Sequence, residues 1–298
     1  MDLSNNQLER AENGDLTALA KLDQCGFIMS SDETSRQYVQ RIRTFRENSL
    51  KMESALRQKG EYEFEGMTFK ETQRIPEKIF REASEVCEKK YAFSIDWVPG
   101  FYMNPRFSML FGGCAFSYYP DFFALFIIRQ SFKKKKKWLI YNRDELLSHE
   151  LCHIARIALN STKYEEIFAY QTSTSFFRRL MGGIFLSQTD SFLFLGSVFL
   201  FLIGQILRTF WLPSMPFFIF GCLPIISVSW LGIRYARILS KFKTARMKLE
   251  KRFCGKALAV LFRCTDAEID EIASTNDVNA YIDSKNSLNW KMMRESYK

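Results

Sequence analysis

The chain has 298 residues, a formal net charge of +9 at pH 7 and an apolar fraction of 47%, with 29 phenylalanines. This composition allows a buried core and favours a membrane protein, while the positive charge is compatible with nucleic acid or an anionic membrane surface as a partner. Seven cysteines, an odd number without CxxC spacing, argue against a disulfide framework and indicate a reduced, cytosolic setting.

The N-terminal region, predicted to span residues 1–75, is polar and helical in pattern. It begins "MDLSNNQLERAENGDL", which contains no apolar stretch, so no cleavable signal peptide is expected. Apolar residues then recur at Tyr38, Ile42 and Phe45, the spacing of an amphipathic helix. A further helix is predicted over "IPEKIFREASEVCEKKY", with Pro76 near its start.

Three apolar runs are predicted as strands: "FSIDWV", "FFALFIIRQ" and "KWLIYN". The last two flank a run of five lysines, which is expected to form the tip of a hairpin. Lysines near a charged leaflet also attract anionic lipid headgroups, by about 1 kcal/mol each. The run consists of Lys133, Lys134, Lys135, Lys136 and Lys137.

A helix is predicted from about Arg143 to Leu159. Asn142 and Glu145 fit a capping box at its start, and the apolar residues that follow recur at helical spacing. Cys152 lies within this helix and is expected to serve packing.

This helix carries the only two histidines of the chain, His149 and His153. Four residues apart, they lie on one helix face a turn apart, where two imidazoles can bind one tetrahedral zinc ion. Glu150 flanks that face and occupies the general-base position of an HExxH motif. A polar histidine pair in a core is the alternative for this pattern.

A third ligand is predicted in "STKYEEIFAYQTS". Thr162 and Glu165 fit a second capping box, which leaves Glu166 free to turn toward the histidines. Ala169 is small enough to let this second helix approach the first closely. A short turn around residues 160–162 favours an antiparallel helix pair, which would bring Glu166 back toward the histidines.

"HELCH" followed by "EEIFAY" resembles the gluzincin metallopeptidases, whose pattern is HExxH with a downstream glutamate. The resemblance covers about 25 residues and implies a zinc ion bound by His149, His153 and Glu166, with Glu150 activating water. It implies a zincin-like fold, in which a small antiparallel or mixed sheet packs with the HExxH helix and the glutamate helix.

Two departures from the gluzincin pattern stand out. Many gluzincins have an aspartate four residues after the glutamate ligand, whereas this chain has Tyr170 there. In related membrane peptidases the glutamate ligand lies far downstream, which makes Glu271 a rival to Glu166. The oxyanion-stabilising residue stays open among Tyr118, Tyr119 and Tyr170.

Two uncharged apolar runs, Ser191–Leu207 and Met215–Ile233, are each close to the ~20 residues that span a ~30 Å hydrocarbon core. A pair of buried core helices is the alternative. The connector between them holds only Arg208, while both flanks are rich in lysine and arginine. The positive-inside rule therefore predicts a transmembrane hairpin with both termini in the cytosol.

The predicted organisation is α+β: an N-terminal helical region at 1–75, a zincin-like domain at 76–187, a transmembrane hairpin at 188–233 and a cytosolic helical tail at 234–298. The predicted function is a membrane-anchored, zinc-dependent endopeptidase with a polypeptide substrate, laid along a strand within Phe122 to Gln130. A non-catalytic, membrane-tethered scaffold with a structural or vacant zinc site is the alternative. Nucleic acid is not expected, because the basic residues cluster beside the apolar runs.

Overall fold

A computed structural model describes residues 4–104, 112–118, 123–214 and 216–297. The predictions for Tyr119, Phe122 and Met215 lie outside these residues. The described part is mixed α and β, and mostly helical. Up to the candidate site its elements are α1 (Asn5–Glu12), α2 (Leu16–Gln24), α3 (Ser35–Lys59), β1 (Glu61–Phe64), β2 (Met67–Lys70), α4 (Glu77–Tyr91), β3 (Gly100–Met103), β4 (Gly113–Tyr118), β5 (Phe123–Arg129), β6 (Lys137–Trp138) and β7 (Tyr141–Asn142).

The rest of the described chain is helical, with short 3-10 turns at Ile157–Leu159 and Gly182–Ile184. Two of its helices are much longer than the others. In chain order the helices are α5 (Arg143–Arg156), α6 (Glu165–Gln171), α7 (Phe176–Met181), α8 (Gln188–Phe210), α9 (Phe217–Glu250), α10 (Ala257–Phe262), α11 (Asp266–Ser274), α12 (Val278–Ser284) and α13 (Leu288–Ser296).

The central sheet has the strand order β3-β5-β4. β5 pairs in parallel with β3 and antiparallel with β4, so both of its edges are occupied. The expectation that a substrate adds as a strand within 122–130 is therefore wrong, because a central strand has no free backbone groups to offer. β4 is an edge of this sheet instead.

The segment "FSIDWV" is not a strand, although Phe93, Ile95 and Val98 are buried. Its backbone bonds go to other partners: Ser94 N–H donates to the carbonyl of Gln24, and Ile95 N–H donates to the Ser84 hydroxyl. The strand prediction is wrong because no described strand pairs with this segment.

The five lysines do not form the tip of a hairpin between the two predicted strands. β5 runs into a 3-10 turn at Gln130–Lys133, and "KWLIYN" folds on itself as the small β6–β7 hairpin. Lys133 donates to the carbonyl of Thr72, and Lys136 pairs with Glu82 and Asp144. Among the described residues no ion pair involves the other three, which are all exposed: Lys134, Lys135 and Lys137.

One buried cluster draws on the N-terminal helices, on β5, α5 and α6, and on the C-terminal helices. The Arg263 guanidinium pairs with Asp23 at 2.6 Å, and both side chains are buried. The ring of Phe262 stacks on Tyr91 at 4.2 Å. The tail therefore packs into the same core as the residues around the histidines, and the boundaries drawn between these regions stay a prediction.

Helices α8 and α9 are long and apolar enough to cross a membrane. α8 has 23 residues and a mean hydropathy of 1.9, and the span in α9, Phe220–Glu250, has one of 1.3. Only 11% and 22% of their most apolar windows are buried, whereas a core helix would be mostly buried. α9 continues without a break past Ile233 to Glu250, so its basic half extends the apolar half directly.

Candidate metal centre

Helix α5 positions the two histidines. It begins at Arg143 as predicted, but it ends at Arg156, and the last three predicted residues form a 3-10 turn. The Asn142 side chain caps it by accepting from the Asp144 N–H at 3.0 Å, and the 3-10 turn after it ends at Asn160 in the left-handed region. The predicted capping box is wrong, because the Glu145 carboxylate faces elsewhere. It accepts from Thr174 N–H at 3.0 Å and pairs with Arg178 at 3.2 Å.

Three potential ligand residues converge beside α5. The Nε2 atoms of His149 and His153 lie 3.2 Å apart, and the two carboxylate oxygens of Glu166 lie 3.5 Å and 3.6 Å from them. Zinc–ligand distances of about 2.0–2.1 Å in a tetrahedral site place neighbouring ligand atoms roughly 3.3 Å apart. The spacing and the donor types therefore fit a metal ion, and His149, His153 and Glu166 could hold one.

Glu165 has a different role from the one that the sequence suggests. α6 begins at Glu165 without a side-chain cap, and the Thr162 N–H donates to Asp266 instead. Glu165 Oε2 lies 3.3 Å from Nδ1 of His153, and its Oε1 accepts from Arg156 Nε at 2.7 Å. The preference for Glu166 as ligand thus rested on a capping box that does not form, although Glu166 is the residue that faces the histidines.

The C-terminal tail contacts Arg156, the partner of Glu165. The buried Arg156 guanidinium donates to the carbonyls of Phe262 and Cys264, and it lies 4.3 Å from the centre of the Phe168 ring. Tail carbonyls thereby orient Arg156, which holds Glu165, which in turn contacts His153. This chain of contacts is not visible in the sequence, because Arg156 and the tail carbonyls are about a hundred residues apart in the chain.

Glu271, the rival ligand, is engaged elsewhere. Its carboxylate accepts from the Tyr281 hydroxyl at 2.9 Å and pairs with Lys285 at 3.1 Å. Within the part of the chain that the structure describes, the group that could hold a metal ion contains Glu166 and not Glu271.

The two histidines differ in their electrostatic surroundings. Burial, together with the nearby charges of His153 and Arg178, holds the pKa of His149 well below its usual range. Burial also lowers the pKa of His153, but the hydrogen bond to Glu165 and the charges of Glu166 and Glu150 outweigh it and raise this pKa to about 9. The two imidazoles are therefore shifted in opposite directions, His149 toward its neutral form and His153 toward its charged form.

Glu150 lies next to the ligand group and against the sheet. Its Oε2 accepts from the backbone N–H of Ala115, on edge strand β4, at 3.0 Å. Burial raises the pKa of Glu150, which brings the carboxylate closer to the range of a general base at neutral pH.

His149 and Glu150 open onto a cavity of about 560 Å³. Tyr170 lines it and packs edge-on against His149, with ring centroids 4.7 Å apart. Tyr141 and Arg178 also line the cavity, and sequence reasoning did not single them out. Among the tyrosines proposed to stabilise an oxyanion, Tyr170 is thus at the site, while Tyr119 and the side chain of Tyr118 are outside the described part.

Comparisons of the chain with protein-family models, with curated proteins and with solved structures found no match. The resemblance to gluzincins therefore rests on the HExxH motif and its downstream glutamate alone.

Proposed function

We propose that this protein is a membrane-anchored, zinc-dependent endopeptidase with its catalytic site on the cytosolic side. One observation carries the proposal. The Nε2 atoms of His149 and His153 lie 3.2 Å apart, and the two carboxylate oxygens of Glu166 lie 3.5 Å and 3.6 Å from them. Glu150 lines the same cavity as His149. A purely structural metal site has no need of a buried carboxylate next to its ligands.

The chain's own residues then have distinct roles. Zinc would lower the pKa of water and polarise a substrate carbonyl. Glu150 takes a proton from the attacking water and delivers it to the leaving amine. Glu165 and Arg156 orient His153. Tyr170 or Arg178, which both line the cavity, would stabilise developing negative charge on the substrate.

The outer edge of β4, with which no described strand pairs, is the proposed binding surface for an extended polypeptide. Arg129 N–H donates to the carbonyl of Gly112, so the alternate residues Gly113, Ala115 and Ser117 direct their backbone groups away from β5. The Ala115 N–H donates a hydrogen bond to Glu150, so this edge lies next to the proposed base. Strand addition here would bring a scissile bond to the site.

The deciding experiment compares peptide cleavage and zinc content in the full-length, detergent-solubilised wild type and in Glu150→Gln. Cleavage of a denatured protein substrate by wild type alone, with equal zinc in both, supports the peptidase. Equal zinc with no cleavage by either protein supports the membrane-tethered scaffold. Absence of zinc from both proteins contradicts the metal assignment.

A further inference from the structure

Helix α7 presents an unusual surface for a protein in water. None of its six residues is buried, and Phe176 and Phe177 are 71% and 70% exposed. Leu180 and Met181, one turn further on, are exposed as well. Contiguous exposed apolar side chains of this kind mark an interaction site.

The turn of the β6–β7 hairpin is a second exposed apolar segment, and it lies at the cavity that His149 and Glu150 line. Leu139 and Ile140 form the turn of the β6–β7 hairpin and are 67% and 73% exposed. Leu139 adopts a positive φ of 50°, which is unfavourable for an L-residue. Ile140 lines the catalytic cavity together with Phe177 and Met181. These three residues and their exposed neighbours on the same two segments are named the apolar rim: Leu139, Ile140, Phe176, Phe177, Leu180 and Met181.

Direct contacts connect the site to the base of the two long helices. Tyr170, which touches His149, packs so closely on Gly182 that a Cβ there would lie 2.3 Å from its ring. A Cβ on Gly183 would lie 2.9 Å from Tyr235 of α9. Adjacent Arg234 pairs with Asp190 of α8 at 2.5 Å. Tyr170, which lines the cavity, is therefore connected through Gly182 and Gly183 to Tyr235, next to the apolar half of α9.

Lysine and arginine residues lie next to the apolar rim in the chain. Lys137 is two residues before Leu139, and Lys134 and Lys135 precede it in the same exposed run. Arg179 of α7 donates to the carbonyls of Ser173 and Thr174. Among the described residues it forms no ion pair with an acidic side chain. Exposed aromatic and aliphatic residues flanked by cations suit the headgroup region of an anionic leaflet.

We propose that the apolar rim lies in the interfacial layer of an anionic membrane leaflet, so that the catalytic cavity opens onto the bilayer surface. Continuity with α8 and α9 and the adjacent cations favour lipid over a soluble partner. If the protein is the proposed peptidase, this position also defines its substrates. They are membrane-bound polypeptides, which are cleaved next to the point where they leave the bilayer.

Photocrosslinking tests the lipid contact without any need for catalysis. The full-length protein, with p-benzoylphenylalanine at Phe176, is irradiated in nanodiscs of phosphatidylglycerol and phosphatidylethanolamine and analysed by mass spectrometry. The matched control has the same group at Leu50, an exposed apolar residue of α3. A phospholipid adduct at position 176 and none at 50 is expected. No lipid adduct at 176, or adducts only to another protein, would overturn the proposal.

A pair of peptide substrates tests the consequence for specificity. The same cleavable sequence is supplied as a free peptide and fused to a membrane anchor in the nanodisc. Wild type should have a kcat/KM for the anchored form higher by about tenfold or more, because the rim and the substrate share one surface. Equal values for both substrates would overturn the specificity.

The double variant Phe176→Ser/Leu180→Ser identifies the rim as the cause. Both residues are exposed and neither lines the cavity, so zinc content and cleavage of the free peptide should stay unchanged. The preference for the anchored peptide should fall several-fold, and an undiminished preference would contradict the role of α7. If wild type cleaves neither peptide, the proposed function fails, while the crosslinking result still decides the lipid contact.

Discussion

The carboxylate of Glu165 lies 3.3 Å from Nδ1 of His153, while Glu166 lies 3.6 Å from Nε2 of the same ring. Two consecutive glutamates thus contact the two nitrogens of one imidazole. The contact at Nδ1 fixes the orientation of the ring and directs Nε2 toward His149 and Glu166. A carboxylate behind a metal-binding histidine also strengthens that histidine as a ligand.

Replacement of Glu165 by glutamine should therefore lower zinc affinity by about 10–100-fold, as is typical when such a supporting partner is lost. A capping role for Glu165 would instead leave zinc affinity nearly intact and cost about 1 kcal/mol of stability. Competition with a chromogenic chelator measures the affinity. Glu271→Gln is the matched control, because Glu271 is exposed and bonded to Tyr281 and Lys285.

His149→Ala and His153→Ala should each abolish zinc retention through purification, because each removes one of three protein ligands. Glu150→Gln should keep the metal and lose peptide cleavage, since the amide cannot accept a proton. Metal analysis and a peptide-cleavage assay on the same samples separate these effects. Cleavage by Glu150→Gln at the wild-type rate would show that another group is the base.

Glu166→Ala should lower zinc affinity sharply, whereas Glu271→Ala should leave it unchanged. The reason is that Glu166 lies 3.5 Å and 3.6 Å from the two histidine nitrogens, and Glu271 is held by its own partners. Zinc titration of both variants decides between them. Loss of zinc from Glu271→Ala alone would mean that α11 completes the site.

Zinc binding should be linked to pH through His153. Its pKa of about 9 in the metal-free protein means that the ring carries a proton at pH 7, and zinc must displace that proton. Apparent zinc affinity should thus rise as pH increases from 7, by up to about tenfold per unit, and level off above the pKa. Calorimetry in buffers of different ionisation enthalpy should detect about one released proton at pH 7. An affinity that does not change between pH 7 and 9 would show that His153 is already neutral.

Both soluble parts of the chain should lie in the cytosol, because lysine and arginine flank the two apolar runs, 191–207 and 215–233, and only Arg208 stands between these runs. Reporter fusions at Ser131 and after Lys298 should both report a cytosolic location. Reporters on opposite sides of the membrane would indicate a single crossing.

The position of helix α5 follows from local sequence. Its apolar period places both histidines on one face, and Asn142 caps its first turn, so residues 143–159 were predictable from neighbours in the chain. The two apolar helices were equally predictable, since length and lack of charge are properties of a single segment.

Contacts between distant segments were decided only by the tertiary structure. The apolar run of β5 is compatible with an edge or a central strand, and its pairing with both β3 and β4 settled that. The pattern around Thr162 fits a cap, yet the charge of buried Arg156, oriented by tail carbonyls, draws Glu165 to His153 instead. Sequence alone thus determined that His149, Glu150 and His153 share one helix, because helical periodicity is local. Which glutamate faces both histidines and which contacts only His153 depends on packing between segments that lie far apart in the chain.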